Sequence, residues 1–286
     1  MDEHETFATF GLVFLSCVAK CDALPKNYLG DVICVQLKSG CDAYIIFNFG
    51  VLNSFLDIYV EMPDFPYPTD SNDHCETPEQ AYRDVVSILK RISKKIAKVK
   101  KSKKLKIYDP YYCNGGVIDK LSLLGYPKVH NEKVDCYSVW ESGNLPDFDV
   151  LVTNPPYSGD HIEKLIKFLS SKKFGNKPWM LLCPEFVHKK DYYTELMTKK
   201  KRPLYIVPNK RYIYLPPRGF REKKASATHK KSSPFTSYWY IWGGSNEMTD
   251  MLAEFFQQHG GNDCKTARSK NELRELRRKN RKKQTI

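Results

Sequence analysis

The feature that most constrains the fold is the stretch Asp149–Tyr157, in which a short apolar run ends abruptly in Asn154-Pro155-Pro156-Tyr157. The run is rich in β-branched residues and predicts a buried parallel strand. Two consecutive prolines have no N–H group and a fixed φ, so they end the strand and force an extended exit. Asn154 is therefore expected at the carboxyl end of a central strand, where open α/β sheets bind their ligands.

The chemistry of these side chains indicates what such a site could bind. The Asn154 side-chain oxygen and a proline carbonyl, held side by side, make a rigid pair of acceptors for the two hydrogens of a planar NH2 group. Tyr157 offers a flat face on which a planar ring could stack. The stretch therefore predicts a site for an exocyclic or amide nitrogen.

Asn154-Pro155-Pro156-Tyr157 resembles the catalytic motif of S-adenosylmethionine-dependent amino-methyltransferases, the N6-adenine type above all. The resemblance implies the Rossmann-like α/β fold of class I methyltransferases: a mostly parallel sheet, helices on both faces and an antiparallel strand near the C-terminal end. It also implies that all four motif residues are catalytic. Asn154 and Pro155 would accept the amino hydrogens, and Tyr157 would stack on the base.

A second motif lies forty-five positions before Asn154. Leu105–Tyr108 predicts a strand and Val117–Leu124 a helix, and the turn between them has the geometry that lets a backbone approach a cofactor. The turn resembles the Asp-Pro-Phe-Cys-Gly-Ser-Gly cofactor loop of amino-methyltransferases, although Tyr112 and Asn114 depart from that pattern. By this resemblance Asp109 would hold the ammonium of S-adenosylmethionine, and the implied cofactor contacts are Asp109, Tyr111, Tyr112, Cys113, Asn114, Gly115 and Asn154.

Two further cofactor contacts are expected outside the loop. Thr77 and Pro78 fit the N-cap and first position of a helix that runs to about Lys100. This helix start is similar to the segment that covers the methionine end of the cofactor, although a plain capped helix explains Thr77 equally well. Between the motifs there is room for one strand, Lys128–Asn131, so one α/β unit is expected to be shortened. Asp135 is preferred to Glu132 as the acid for the ribose, with a surface acid as the alternative.

The charge of the chain favours a polyanionic partner. Lys and Arg total 46 against 33 Asp and Glu, a net charge of +13, which points first to nucleic acid and second to an anionic membrane. A long loop between strands Leu204–Val207 and Tyr238–Trp242 mixes aromatic and basic residues, which suits stacking and phosphate contact. The candidate nucleic-acid contacts are Arg211, Tyr212, Arg218, Arg221, Lys223 and Lys224.

The 286 residues divide into three predicted parts. Residues 1–73 form an extension without an assigned role, with a hairpin of Asp31–Leu37 and Ala43–Phe49 followed by a linker. Residues 74–258 form the methyltransferase domain. Residues 259–286 form a basic tail that could be a nuclear address, a nucleic-acid arm or an exposed helix end.

Cysteine use and hydropathy narrow the class of protein. Nine scattered cysteines contain no Cys-x-x-Cys pair, so a zinc site is not expected, and reduced thiols indicate an intracellular protein. Nucleus or cytoplasm is the expected location, with an organelle left open. No apolar run is long enough to span a membrane, and the acidic start argues against a signal peptide.

The sequence therefore predicts an S-adenosylmethionine-dependent N6-adenine methyltransferase that acts on RNA or DNA. Three alternatives remain: a protein glutamine methyltransferase, a guanine- or cytosine-amino methyltransferase, and a non-catalytic nucleic-acid-binding module of the same fold. The basic charge and the unusual cofactor loop argue against the glutamine enzyme.

Overall fold

The chain divides into two compact units, Met1–Phe65 and Pro66–Ile286. The computed structural model describes residues 32–36, 44–48, 59–60, 65–70, 73, 75–100, 104–198, 201–214, 235–261 and 263–283. In the first unit, strands β1 (Val32–Gln36), β2 (Tyr44–Asn48) and β3 (Tyr59–Val60) form an antiparallel sheet in that order. The antiparallel pairing of β1 with β2 confirms the predicted hairpin.

The second unit is built on a seven-stranded sheet of order β10-β8-β9-β7-β6-β4-β5. Its strands are β4 (Ile107–Tyr108), β5 (Val129–His130), β6 (Val150–Thr153), β7 (Trp179–Pro184), β8 (Leu204–Pro208), β9 (Ser237–Trp242) and β10 (Cys264–Ala267). Its helices are α1 (Glu79–Lys100), α2 (Gly116–Leu123), α3 (Cys136–Ser142), α4 (His161–Ser170), α5 (Asp191–Tyr193, continued by a π-helical turn), α6 (Asn246–His259) and α7 (Lys270–Lys283).

Strand directions show that the sheet is mixed and mostly parallel. β5, β4, β6 and β7 are parallel neighbours, whereas β9 pairs antiparallel with both β7 and β8, and β10 pairs antiparallel with β8. This arrangement is that of a Rossmann-like α/β fold, and β9 supplies the antiparallel strand expected near the C-terminal end. A single strand, β5, lies between the two sequence motifs, as the shortened spacing predicted.

Alternating side chains of the strands pack into two apolar layers, one on each face, because successive residues point to opposite faces of a sheet. Val150 and Val152 of β6 pack with residues of α1, α2 and α6 on one face. Leu151 packs with residues of α3, α4 and α7 on the other. Because helices cover both faces, the whole of β6 and β7 is buried. The carboxyl ends of these parallel strands lie along one edge of the sheet.

The second unit extends beyond the predicted 74–258 range at both ends. Tyr67, in the predicted linker, is buried in the core. In the predicted tail, β10 pairs with β8, and Leu273 of α7 is fully buried. The described part of that tail is therefore an integral edge of the domain. Sequence reasoning missed β10 because Cys264-Lys265-Thr266-Ala267 is short and lacks an apolar run.

No helix in the described ranges combines the length and the apolar character that crossing a bilayer requires.

Leu273 provides a test of this corrected C-terminal boundary. We expect Leu273→Ala to lower the free energy of unfolding by about 2–5 kcal/mol, because it leaves a cavity in the core. The matched control is Leu123→Ala in α2, where the leucine is 77% exposed and the expected change is below about 0.5 kcal/mol. Urea denaturation measures both, and equal stabilities for the two variants would restore the tail as a separate segment.

Candidate active site

The two sequence motifs meet at the carboxyl edge of the sheet. β4 and β6 are parallel neighbours, with Tyr108 opposite Leu151, so the residues that follow each strand are brought together. The Thr153 hydroxyl donates a hydrogen bond of 2.5 Å to Oδ1 of Asp109, across 44 positions of sequence. Asn154 and the turn that begins at Asp109 line one small cavity of about 30 Å³, and its other walls include Thr77, Cys113 and Gly115.

Asp109 is a buried carboxyl group at the floor of this cavity. It is 5% exposed and accepts hydrogen bonds from Thr153 and from the Tyr111 backbone N–H at 3.2 Å. Burial raises its pKa from 3.8 to about 7. No lysine, arginine or histidine forms an ion pair with it within the described part of the chain. A buried carboxylate in this state favours a cationic ligand, which would offset the cost of its charge.

Asn131, at the end of β5, fixes the backbone of the turn. Its side-chain nitrogen donates to the carbonyl oxygens of Asp109 (3.1 Å) and Tyr111 (3.3 Å). This orientation leaves Oδ1 buried, and that atom has no hydrogen-bond partner among the described residues. Because Asn131 and Asp109 both line the cavity, the site offers acceptors to a ligand that carries donors.

Glu76 closes the same turn from the other side. Its Oε1 accepts from the backbone N–H groups of Asn114 (2.9 Å) and Gly116 (3.4 Å), and its Oε2 pairs with Lys120 at 2.7 Å. A Cβ on Gly116 would lie 2.6 Å from Oε2, so a larger residue here would displace the Glu76 carboxylate. Gly115 adopts φ +76°, a left-handed conformation that glycine tolerates best. Sequence analysis gave Glu76 no role and missed this contact.

The Asn154-Pro155-Pro156-Tyr157 turn is held by hydrogen bonds of its own tyrosine. The Tyr157 hydroxyl donates to Oδ1 of Asn154 at 2.8 Å and lies 3.0 Å from Oγ of Ser237 and 3.3 Å from the Tyr214 hydroxyl. Burial raises the pKa of Tyr157, which keeps the hydroxyl a neutral donor. The Asn154 oxygen therefore already has one donor, in contrast to the free acceptor pair that we predicted. Its second lone pair can accept another hydrogen.

Asp73 fixes the chain immediately after this motif. Its carboxylate accepts from the backbone N–H groups of Tyr157 (2.8 Å) and Ser158 (3.2 Å), and also from the Ser158 hydroxyl. Sequence analysis placed Asp73 in a linker. Its contact partners lie 84 and 85 positions further along the chain, so no local pattern could reveal them.

A larger cleft of about 550 Å³ lies on the side of α3 and α4. It is lined by segment Pro66–Asp70, by Asp135 and Tyr137, and by residues 158–161 and Lys164. Asp135 caps α3 by accepting from the Tyr137 backbone N–H (2.9 Å) and the Ser138 hydroxyl (2.6 Å). The predicted ribose acid therefore has a structural role and also faces this cleft.

Tyr111 connects the two cavities. It lines the small one, and its hydroxyl lies 3.4 Å from the hydroxyl of Tyr137, which lines the large one. The same hydroxyl donates to the His161 backbone oxygen at 3.3 Å, and Tyr67 packs edge-on against the Tyr111 ring. His161 is buried, and its Nε2 lies 2.9 Å from the Pro68 oxygen, which ties the segment before α1 to α4.

The remaining predicted cofactor contacts are Thr77, Tyr112 and Asn114. Thr77 is buried at the small cavity and hydrogen-bonds Tyr82. Tyr112 is half-buried and Asn114 is exposed, and neither of these two residues lines that cavity.

Of the predicted nucleic-acid contacts, Arg211 is exposed. Tyr212 was predicted wrongly as a nucleic-acid contact, because it is 6% exposed and its hydroxyl donates to Asp84 at 2.7 Å. The other predicted nucleic-acid contacts lie outside the described residues: Arg218, Arg221, Lys223 and Lys224.

In comparisons with known proteins, no protein-family model and no curated protein matches the chain. In the ranges that the structure describes, no cluster of three or more His, Cys, Asp or Glu side chains is arranged to hold a metal ion.

The raised pKa of Asp109 predicts how stability depends on pH. The folded state holds this proton up to about pH 7 and the unfolded state only to about pH 4. Folding therefore takes up a proton between these values, and the free energy of unfolding falls as pH rises through them, by on the order of 4 kcal/mol. We expect Asp109→Asn to remove this component, because the amide keeps an acceptor oxygen but does not titrate.

Denaturant unfolding across the pH range measures the effect. The control is Asp119→Asn, which removes an exposed carboxylate from α2 and should leave the pH profile unchanged. A profile for Asp109→Asn that runs parallel to the wild-type profile would contradict the assignment of this proton to Asp109.

Proposed function

We propose that the protein is an S-adenosylmethionine-dependent methyltransferase that modifies the exocyclic amino group of a nucleobase, N6 of adenine, in nucleic acid. One observation carries the proposal. Asn154, which resembles the amine-binding residue of such enzymes, lines the same cavity as Asp109, which resembles their ammonium-binding residue. The two residues are 45 positions apart in sequence and follow adjacent parallel strands.

The residues of the small cavity suit the methionine end of the cofactor. S-adenosylmethionine carries a positive ammonium and a positive sulfonium, and its bound form would supply an activated methyl group. The buried Asp109 carboxylate offers the compensating charge, and Asn131 offers a further acceptor. A volume of about 30 Å³ holds about one water molecule. Binding of the methionine end therefore requires this cavity to widen.

The larger cleft suits the adenosine end. Its volume of about 550 Å³ lies within the usual range of ligand pockets, roughly 300–1,000 Å³. Tyr137 presents an aromatic face there, and the Asp135 carboxylate can accept hydrogens beyond those of its helix cap. Tyr111 of the small cavity lies 3.4 Å, hydroxyl to hydroxyl, from Tyr137 of the cleft, so the two cavities are close enough to take the two halves of one ligand.

Asn154 and Pro155 would orient the substrate amine. Their oxygens accept the amino hydrogens and hold the nitrogen lone pair toward the methyl donor, so orientation supplies most of the catalytic effect. No general base is needed, because the proton leaves after the nitrogen has attacked. The Tyr157 hydroxyl adds a role that the motif alone does not indicate: by donating to Asn154 Oδ1, it fixes which way the amide faces.

The residues that flank the basic segment 215–234 support nucleic acid as the substrate. Its flanking residues lie at the candidate site: the Tyr214 hydroxyl is 3.3 Å from that of Tyr157, and the Phe235 ring is 5.2 Å from that of Phe186, just after β7. The segment includes Arg218, Arg221, Lys223 and Lys224. Its chain therefore leaves and re-enters the domain beside the proposed amine site, where phosphate contacts would be useful.

Substitutions in the motif test the proposal. We expect Asn154→Ala and Tyr157→Ala each to lower methyl transfer by about 100-fold, because both disturb the position of the amine. Tyr157→Phe keeps the aromatic face and loses a neutral hydrogen bond of about 1 kcal/mol, so a loss of about fivefold is expected. The measurement is the initial rate of label transfer from S-adenosylmethionine to total RNA, genomic DNA or protein, followed by identification of the modified product.

The control is Asn144→Ala, at an exposed asparagine in the loop after α3, which should retain the wild-type rate. Wild-type rates in both alanine variants of the motif would refute the assignment. Label found in glutamine rather than in a nucleoside would change the proposed substrate from a nucleobase to protein glutamine and would leave the proposed methyl transfer to an NH2 group unchanged.

A further inference from the structure

Helix α7 crosses the second unit from one edge of the sheet to the other. β10 runs antiparallel to β8, so its last residue, Ala267, lies opposite Tyr205 near the start of β8. The helix begins three residues later, at the edge away from the candidate site. Leu273 is then buried against the sheet, and Arg277 pairs with Glu185 at 2.7 Å. Glu185 directly follows β7, so Arg277 has reached the carboxyl edge, where the candidate site lies.

The contact at this edge is well anchored. Arg277 and Glu185 are each 25% exposed, and the second carboxylate oxygen of Glu185 accepts from the Tyr238 hydroxyl at 3.0 Å. The Glu185 backbone N–H donates to the Thr236 oxygen at 2.8 Å. α7 is therefore fixed to the end of β7 and to the start of β9, the strand that supplies Ser237 to Tyr157.

Beyond Arg277 the helix continues in the same direction to Lys283, by about 9 Å at the usual rise per residue. Arg278 and Lys279 are exposed, and Arg274 is exposed one turn before Arg278. Three exposed positive charges therefore lie on this part of the helix, near the edge of the sheet that holds Asn154.

We propose that Arg274, Arg278 and Lys279, the exposed basic residues in the second half of α7, form a docking surface for the phosphate backbone of a nucleic acid that reaches the candidate site. The proposal rests on the function proposed for that site and adds where the substrate is held. This helix end lies at the edge of the domain that holds the candidate site, so a polyanion that reaches the site could also contact it.

The apolar residues of α7 favour nucleic acid over a membrane surface. Leu273 is fully buried, and Leu276 packs partly buried against the same core. A helix that lies in a bilayer interface needs an apolar face to insert. Both leucines of α7 pack inside the protein, so the outer surface of its second half presents charged residues, which suit a hydrated phosphate chain.

Helix α1 supplies a matched control. It begins beside the small cavity, just after Thr77, and its exposed residues Lys94, Lys95 and Lys98 lie at least about 22 Å further along its axis. The control variant Lys94→Gln/Lys95→Gln/Lys98→Gln removes three positive charges far from the site. The test variant Arg274→Gln/Arg278→Gln/Lys279→Gln removes the same charge from α7.

The experiment measures binding of the full chain to a mixed-sequence RNA oligonucleotide, and separately to a DNA duplex, over a range of salt concentrations without cofactor. We expect the slope of log affinity against log salt to become less steep by about 2 to 3 in the α7 variant, since each lost phosphate contact lowers it by about 1. The α1 variant should keep the wild-type slope. Melting temperatures of both variants show whether the α7 substitutions act by weakening the helix, whose basic residues also complement its dipole.

Three results would overturn the proposal. One is an equal slope in wild type and both variants, and another is the absence of nucleic-acid binding by the wild type. The third is loss of binding to phosphatidylserine vesicles in the α7 variant while nucleic-acid binding is unchanged. Failure of the proposed methyl transfer would appear separately, as no label transfer, because the binding assay contains no S-adenosylmethionine.

Discussion

The hydrogen bond between the Thr153 hydroxyl and the Asp109 carboxylate is the contact on which the rest of the candidate site depends. It joins the ends of β6 and β4 and lies in the protein interior, where a carboxyl group without donors would be costly. Two donors, from Thr153 and the Tyr111 backbone, make the group tolerable there, and the raised pKa shows that they do not fully compensate its charge. The part of the Asp109 negative charge that remains uncompensated makes this position suitable for a cation.

Three polar side chains outside the motifs hold the two turns in place. Asn131 donates to carbonyl oxygens at the start of the first turn, Glu76 accepts from N–H groups at its end, and Asp73 accepts from the N–H groups of Tyr157 and Ser158. Each satisfies backbone groups that leave regular structure and would otherwise lack partners. Residues outside the motifs thus meet structural needs of the backbone in both turns. Glu76 and Asp73 both precede α1, so this short segment positions both turns.

The amino-acid sequence determined some of these features locally and others only through long-range contacts. β6 could be predicted because its apolar run ends in Asn154-Pro155-Pro156, and the meeting of Asp109 with Asn154 followed from two strand ends in one parallel sheet. The roles of Glu76 and Asp73 could not be read in this way, since carboxylates in polar segments resemble any surface acid. Tyr212 shows the opposite error: aromatic residues in a basic loop resemble a stacking surface, and only the partner Asp84, 128 positions away, shows that this one is buried.

The most direct test of the account is the proton balance of S-adenosylmethionine binding, measured by calorimetry in buffers of different ionisation enthalpy. If the cofactor's positive charges lie against Asp109, binding near pH 6 should release about 0.9 proton, because a carboxyl group with a pKa of about 7 must ionise. In Asp109→Asn this release near pH 6 should be absent. Binding without proton release near pH 6, or no binding at all, would contradict the claim that this buried carboxyl group is the centre of a cofactor site.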